Sequence, residues 1–480
     1  MRTVDLEKRI RTRLPLELEV TGDQGIRLKD VAEGKSSMDR FIAQLSDEDL
    51  MAIVRGEGMS SPKVTPGTAA AFGGVTESLI AFGIPVACAA DGPSGIRMEG
   101  GFSATQMPIG TLLACTWNPE LIEQLYTLEG EEMHANEVDT LLGPGINIHR
   151  HPLNGRNFEY FSEDPYVTGC FAAAAVRGMK KWKGIGTIKH FATNNQETAR
   201  SEENNVVSER ALREIYLKGF EMAVKEGGAL SVMTSYNAVN GHWAASNYDL
   251  NTTILRKEWG YTGIVMTDWW ACMNHPAHGG ESSRKRASYM VTAQNDLYMV
   301  VPNHGAGDNV YGDDLKEALE KGTLTRGELQ RCAANICRFL IHVPCMERDP
   351  KQQERVELQK PLRLEEVSER GNIEKLEEGR KYAMSFEKPL ILKAETSGVY
   401  FMEAGLSSGA PEMSQVFMEF LVNEIPLVQV QMGGTNQKPS HRKLAKLCLE
   451  EGYYCFEANL LKPDLRIEWV EFHKVDMQNT

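Results

Sequence analysis

The chain has 480 residues and a formal net charge of -14 at pH 7, with 42% hydrophobic and 25% charged residues. That acidic balance argues against nucleic acid or an anionic membrane as the main partner, and no window approaches the ~18 uninterrupted apolar residues of a membrane span. The length suggests about three domains, unless a barrel absorbs about 250 residues as one.

Residues 1–40 are charged and irregular and are expected to form a connector. Ser46 followed by Asp47, Glu48 and Asp49 predicts a helix start, with acids in the first turn complementing the helix dipole. From there to about residue 345, short apolar runs alternate with helical patterns. Buried strands are expected at 84–91, 140–146, 184–191, 229–236, 264–266 and 295–301. Helices are expected at 118–134, where Asn118 caps and Pro119 takes the first position, and at 171–179, 208–225, 250–259, 313–321 and 326–342. Strand and helix in alternation at this spacing predict parallel βαβ units. Polar residues fall at or just past the strand ends: Asp91, Lys189 and His190, Met233 and Tyr236, and Asp268 followed by Trp269 and Trp270. Each alone has a plain structural explanation, Asp268 as a turn or cap residue, for example. In a barrel, however, strand C-termini converge on the face where active sites are built.

After residue 346 the pattern changes. Residues 346–389 are dense in Lys, Arg and Glu and are expected as a charged linker. Residues 390–480 show short alternating strands between turn residues, the pattern of an all-β, jelly-roll-like sandwich. Its last run, Arg466-Ile-Glu-Trp-Val-Glu-Phe472, is loosely similar to carbohydrate-binding modules, although Trp469 is expected in the sandwich core. The fold class is thus α/β followed by an all-β sandwich. Nine cysteines, an odd number with no Cys-x-x-Cys pair, are expected as free thiols in a reducing, cytoplasmic compartment. The N-terminus lacks the apolar core of a secretory signal. Neither the cysteines nor the 11 histidines show metal-ligand spacing, so no metal and no cofactor is expected.

Five motifs in order resemble glycoside hydrolase family 3, in particular its β-glucosidase-type members. They are Asp91-Gly-Pro-Ser-Gly-Ile-Arg97, the stretch from Gly143-Pro-Gly through Gly155-Arg-Asn to Glu163-Asp-Pro165, Lys189-His-Phe-Ala-Thr-Asn-Asn-Gln196, Ser231-Val-Met-Thr-Ser-Tyr-Asn-Ala-Val-Asn-Gly241 and Met266-Thr-Asp-Trp269. What the resemblance of these motifs implies for residues 41–345 is a (β/α)8-like TIM barrel. The start of the chain is similar to the junction preceding the barrel in the subgroup with reversed domain order.

The resemblance implies that Asp268 is the nucleophile of a retaining glycosidase removing terminal β-D-glucosyl residues. It implies that Asp91, Arg97, Arg156, Lys189 and His190 bind sugar hydroxyls, that Tyr236 hydrogen-bonds the nucleophile, that Met233 lines the pocket, and that Trp269 forms an apolar wall. Retention also needs an acid/base carboxyl about 5–5.5 Å from the nucleophile. The family's glucosidases take it from an α/β sandwich domain that is not found in this sequence, and the Asp-His loop of its bacterial N-acetylglucosaminidases is replaced here by Ala192-Thr-Asn-Asn-Gln-Glu-Thr198. The acid/base is therefore expected from a partner chain, a second copy or a region beyond this chain. Glu281, in the Gly279-Gly-Glu-Ser-Ser283 loop, is the one internal stand-in considered, with a solvated loop residue as its alternative. The rival readings are a sugar-binding or structural subunit without turnover, and the same chemistry on β-xylosides or β-galactosides.

Overall fold

Strand formation follows the apolar runs. The computed structural model describes residues 4–99, 102–349, 356–412 and 414–475. Among these, eight strands make the barrel sheet: β1 (Arg55–Glu57), β2 (Ala70–Gly73), β3 (Val86–Asp91), β4 (Thr140–Leu142), β5 (Ile185–Phe191), β6 (Ser231–Thr234), β7 (Ile264–Met266) and β8 (Tyr298–Val301). They neighbour one another in chain order, and β8 pairs with β1. A bridge between Met266 and Leu297, with the Thr267 amide donating to the Leu297 carbonyl at 2.9 Å, brings β7 against the start of β8 and nearly closes the ring. Every residue of β5, β6, β7 and β8 is buried, as expected of strands covered on both faces.

The helices between strands begin where the capping chemistry places them. Asn118 caps α1 (Pro119–Ala135), Asp164 caps α2 (Pro165–Lys180), and Thr325 with Glu328 forms a capping box on α4 (Arg326–Leu340). The amphipathic α3 (Lys218–Lys225) packs against α2. The backbones of α1 and α2 approach closely because position 178 is glycine: a Cβ there would lie 2.5 Å from the Glu123 carbonyl oxygen.

Three expectations need correction. First, the barrel is not wholly parallel: β2 runs antiparallel to both β1 and β3. The twelve residues between Glu57 and Ala70 are at the lower limit for a crossover, and they hold no helix. Second, residues 346–389 are more than a linker, since β9 (Val356–Gln359) and β10 (Ile373–Lys375) each pair into a sandwich sheet; residues 350–355 lie outside the described residues. Third, Trp469 is outside the sandwich core. Val470 and Phe472 point inward, and strand alternation sends Trp469 to the opposite face.

The sandwich continues with β11 (Leu390–Ala394), β12 (Gly398–Ser407), β13 (Val416–Val422), β14 (Ile425–Met432), β15 (Ser440–Leu449), β16 (Gly452–Leu460) and β17 (Arg466–Lys474). One sheet has the order β9-β15-β12-β17, the other β10-β11-β16-β13-β14, and Met402, Leu406, Phe420, Leu447, Phe456 and Phe472 fill the space between them. The sandwich is tied to the barrel by Lys443–Asp308 at 3.1 Å, by Arg284–Glu412 at 2.9 Å and by Phe401 edge-on to His304. At the other end, residues 13–27 run along the barrel, where the Leu18 amide donates to Gln330 Oε1 and Gln330 Nε2 returns a bond to the Leu18 carbonyl. Among the described residues, no helix is long and apolar enough to cross a membrane.

Candidate active site

The barrel places the ends of β3, β5, β6 and β7 around one opening, and the polar residues expected there do converge. A cavity of about 570 Å³ is lined by Asp91, Arg97, Arg156, Lys189, His190, Met233, Tyr236, Asp268 and Trp269. Glu281 does not line it. That residue is exposed on the Gly279–Ser283 strand, which pairs only with the short strand Met273–His275, so no scaffold element carries it toward Asp268.

Asp268 follows β7 by two residues and lies at the cavity floor, with its side chain 11% exposed. Its Oδ1 accepts the Trp269 amide at 2.8 Å. Its Oδ2 is buried without a hydrogen-bond partner and lies 3.7 Å from His190 Nε2. Burial is the largest influence on this carboxyl and raises its pKa. Arg156, Arg200, the Trp269 amide and Lys189 pull the other way without overcoming it. For His190, burial comes first and the cations Arg156, Lys189 and Arg200 add to it. The ring is held well below its ordinary pKa, so it stays neutral. Its backbone amide donates to Asn147 Oδ1 at 2.9 Å and its Nδ1 lies 3.2 Å from the Tyr160 hydroxyl, which fixes the ring and aims Nε2 at Asp268.

On the adjoining wall, Lys189 Nζ donates to Asp91 Oδ1 at 2.9 Å. Burial works to raise the Asp91 pKa, but Lys189, helped by Arg156 and Arg97, outweighs it and holds the carboxyl below its usual range. A carboxylate beside an ammonium and a guanidinium offers acceptors and donors suited to vicinal hydroxyls. Arg156 is itself fixed by Glu159, which contacts its Nε. Tyr236 is 6% exposed and faces Asp268, and Trp269 is 7% exposed.

Sequence reasoning missed Arg200 and the acids that hold the arginines. The Arg200 guanidinium sits 4.6 Å from the Tyr236 ring centroid, is bonded to Glu197 at 2.8 Å and lines the cavity. The available signal was its place in the long segment after β5, ten residues beyond His190. From the sandwich, Gln415 also reaches the cavity.

Two tests follow from this geometry. Asp91→Ala is expected to raise KM for a bound sugar by roughly 10- to 100-fold, the value of one or two charge-assisted hydrogen bonds, as measured by steady-state kinetics or calorimetry. Asp268→Asn is expected to become progressively more stable than the native chain as pH rises. The folded-state pKa of Asp268 lies above its unfolded value, so ionisation costs stability from the unfolded pKa upward until the folded pKa is passed. Melting temperatures of both proteins across pH would read this, and a gap that narrowed with pH would mean that the cations outweigh burial.

The fold and site together define a (β/α)8-class barrel with a cation-lined cavity around the buried carboxylate of Asp268. A family model described as the glycosyl hydrolase family 3 N terminal domain matches residues 39–339, and the chain belongs to that family. It is 46% identical over 470 residues to a beta-glucosidase of Ruminococcus albus, covering 96% of this chain and 49% of that protein. The solved structure of a beta-glucosidase from Paenibacillus barengoltzii is 59% identical, with a TM-score of 0.77, covering 98% of this chain and 51% of the other. An exo-alpha-(1->6)-L-arabinopyranosidase of Bifidobacterium longum is 46% identical over 201 residues, covering 39% of this chain and 26% of that protein. The chain spans about half the length of the first two.

Proposed function

We propose that this chain carries the nucleophile and sugar-binding half of a retaining exo-β-glucosidase. The observation that carries the reading is the buried carboxylate of Asp268 just past the end of β7, in a cavity walled by Arg156, Arg200 and Lys189, with Tyr236 against it. A nucleophile must keep an unshared electron pair directed at the anomeric carbon. Asp91, Lys189 and Arg156 bind the ring hydroxyls, while Trp269 packs on the sugar's apolar face. His190, neutral, offers a hydrogen bond without competing for the negative charge.

Attack by Asp268 Oδ2 forms a glycosyl ester and expels the leaving oxygen, which must take up a proton. Among the described residues, the other carboxylates that line the cavity are paired with cations, Asp91 with Lys189, Glu99 with Arg97 and Glu159 with Arg156, and Glu197 is paired with Arg200. The acid/base therefore comes from beyond this chain, from a further segment or a partner subunit. Support for glucose as the sugar comes from the beta-glucosidase names of the Ruminococcus and Paenibacillus relatives. The arabinopyranosidase likeness over 201 residues keeps a second sugar class in view.

Trapping tests the reading. A 2-deoxy-2-fluoroglucoside with an activated leaving group is expected to label one peptide, that containing Asp268, as read by mass spectrometry. Glucose binding without any label would favour a sugar-binding subunit, and a panel of nitrophenyl glycosides would rank glucoside against xyloside, galactoside and arabinopyranoside.

A further inference from the structure

On the outer face of one sandwich sheet, opposite its core face, a second set of polar side chains gathers. In the register of β12 with β17, Glu403 stands directly opposite Glu471, Phe401 opposite His473 and Gly405 opposite Trp469. On the other flank of β12, Glu403 faces Lys443 and Gly405 faces His441. Met402, Ala404 and Leu406 take the core side, so alternation sends Glu403 outward, where β15 and β17 bring the histidines.

Two like charges directly opposite on neighbouring strands destabilise a sheet. Here both carboxylates are nearly buried, at 8% exposure each. Lys443, the cross-strand neighbour, directs its ammonium to Asp308 instead. What faces the carboxylates is imidazole: His441 Nε2 contacts Glu403 Oε2 and lies 3.9 Å from Glu471 Oε1, and His473 Nε2 lies 3.8 Å from that same oxygen.

We propose that Glu403, His441 and Glu471 form a binding site for a divalent cation of the zinc type, with His473 as the fourth ligand. The three coordinating atoms lie within 4.8 Å of one another, among the described residues the one such group of His, Cys, Asp and Glu. Tetrahedral zinc with bonds of about 2.0–2.1 Å holds its ligands roughly 3.3 Å apart, so small rotamer adjustments bring Glu403, His441 and Glu471 onto one ion, and His473, 3.8 Å from Glu471 Oε1, has to turn toward it to complete the shell. Two carboxylates neutralise the double charge and remove the repulsion that the register imposes. Imidazole ligands select zinc over calcium or magnesium, which prefer all-oxygen shells.

The scaffold is suited to the task. Three adjacent antiparallel strands fix the backbone, and the His441 ring packs against the Trp469 indole with centroids 5.4 Å apart. That indole lies flat across β12 because position 405 is glycine, where a Cβ would come 2.3 Å from the indole nitrogen. Lys381 sits 4.0 Å from the Trp469 ring centroid and helps hold the indole in place. Sequence spacing is blind to such a site, since its ligands come from three strands separated by tens of residues. The competing arrangement is a metal-free one, with protonated imidazoles paired to the two glutamates.

The test uses the 480-residue chain, stripped with a chelator and with accessible thiols alkylated so that cysteines cannot bind metal. Zinc titrated by calorimetry, with metal content read after dialysis, is expected to bind at one equivalent. Glu403→Gln and His441→Ala are each expected to weaken that binding by roughly 100-fold or more, and His473→Ala by about 10-fold. His278→Ala, in the separate stacked pair His275–His278, is expected to leave it unchanged. Zinc should also raise the melting temperature of the native chain but not of Glu403→Gln. Lack of saturable binding, or equal binding by Glu403→Gln and the native chain, overturns the site and leaves the metal-free ion pair. Should either variant fail to fold, cobalt added to the native chain decides: a tetrahedral visible spectrum supports the site, and an octahedral aqua-ion spectrum overturns it.

Discussion

Asp268→Gly is expected to lower turnover of 2,4-dinitrophenyl β-glucoside by about 10⁴-fold or more, the loss that follows removal of a nucleophile from a constellation acting as a unit. Azide added to that variant is expected to restore turnover and to yield α-glucosyl azide. The shortened side chain leaves a gap facing the anomeric carbon, beside Arg156 and Arg200, where a small anion fits and finds positive charge. Attack from that side inverts the configuration once. With Asp268 present, azide instead intercepts the glycosyl ester and gives the β-azide after two inversions. Product configuration by NMR separates the two cases. A variant that folds, binds glucose and shows neither loss nor rescue would remove Asp268 from the nucleophile role.

The sequence carried the barrel because its strands are short apolar runs bounded by Gly, Pro and polar ends, and because the helix caps at Asn118, Ser46 and Thr325 are local signals. It carried most of the cavity for a related reason: Asp91, Lys189, His190, Tyr236 and Asp268 all lie within two residues of the C-terminal ends of their strands. β1 and β2 escaped notice because Arg55-Gly-Glu57 and Ala70-Ala-Phe-Gly73 are made, Phe72 apart, of charged and small residues and contain no aliphatic run. Arg200 escaped because nothing local marks a residue whose role depends on folding back over Tyr236. The edge strands β9 and β10 were hidden because they span only four and three residues inside a stretch dense in Lys, Arg and Glu. The contact of Gln415 with the cavity depends on how the sandwich docks against the barrel, which no local pattern encodes.

The charges around Asp268 were legible in part. Lys189 and Arg156 do act to keep it ionised, as proximity predicts, but the depth of the site outweighs them and the net shift is upward. The same depth drives His190 in the opposite sense and keeps it neutral. Burial thus separates the protonation behaviour of two groups 3.7 Å apart.

That electrostatic pattern, together with the commitment of the nearby carboxylates to cations, leads to the second large effect. The isolated chain is expected to cleave dinitrophenyl β-glucoside readily and alkyl β-glucosides at least 10²- to 10⁴-fold less well than an acid-equipped enzyme would, the usual contribution of a general acid. Dinitrophenolate leaves without a proton, whereas an alkoxide does not, so the deficit should track leaving-group basicity along an aryl glucoside series. The pH–rate profile should have one limb. Activity on the activated substrate rises as Asp268 ionises, at a pH shifted upward from the ordinary aspartate value by burial, and then stays level because no acid is lost at high pH. Supplying a segment or partner that carries the acid should restore alkyl-glucoside cleavage and add the falling alkaline limb. A bell-shaped profile and full activity on cellobiose from this chain alone would instead place an acid among its own residues, and the carboxylates now paired with Arg97, Arg156 and Arg200 would be the first to test.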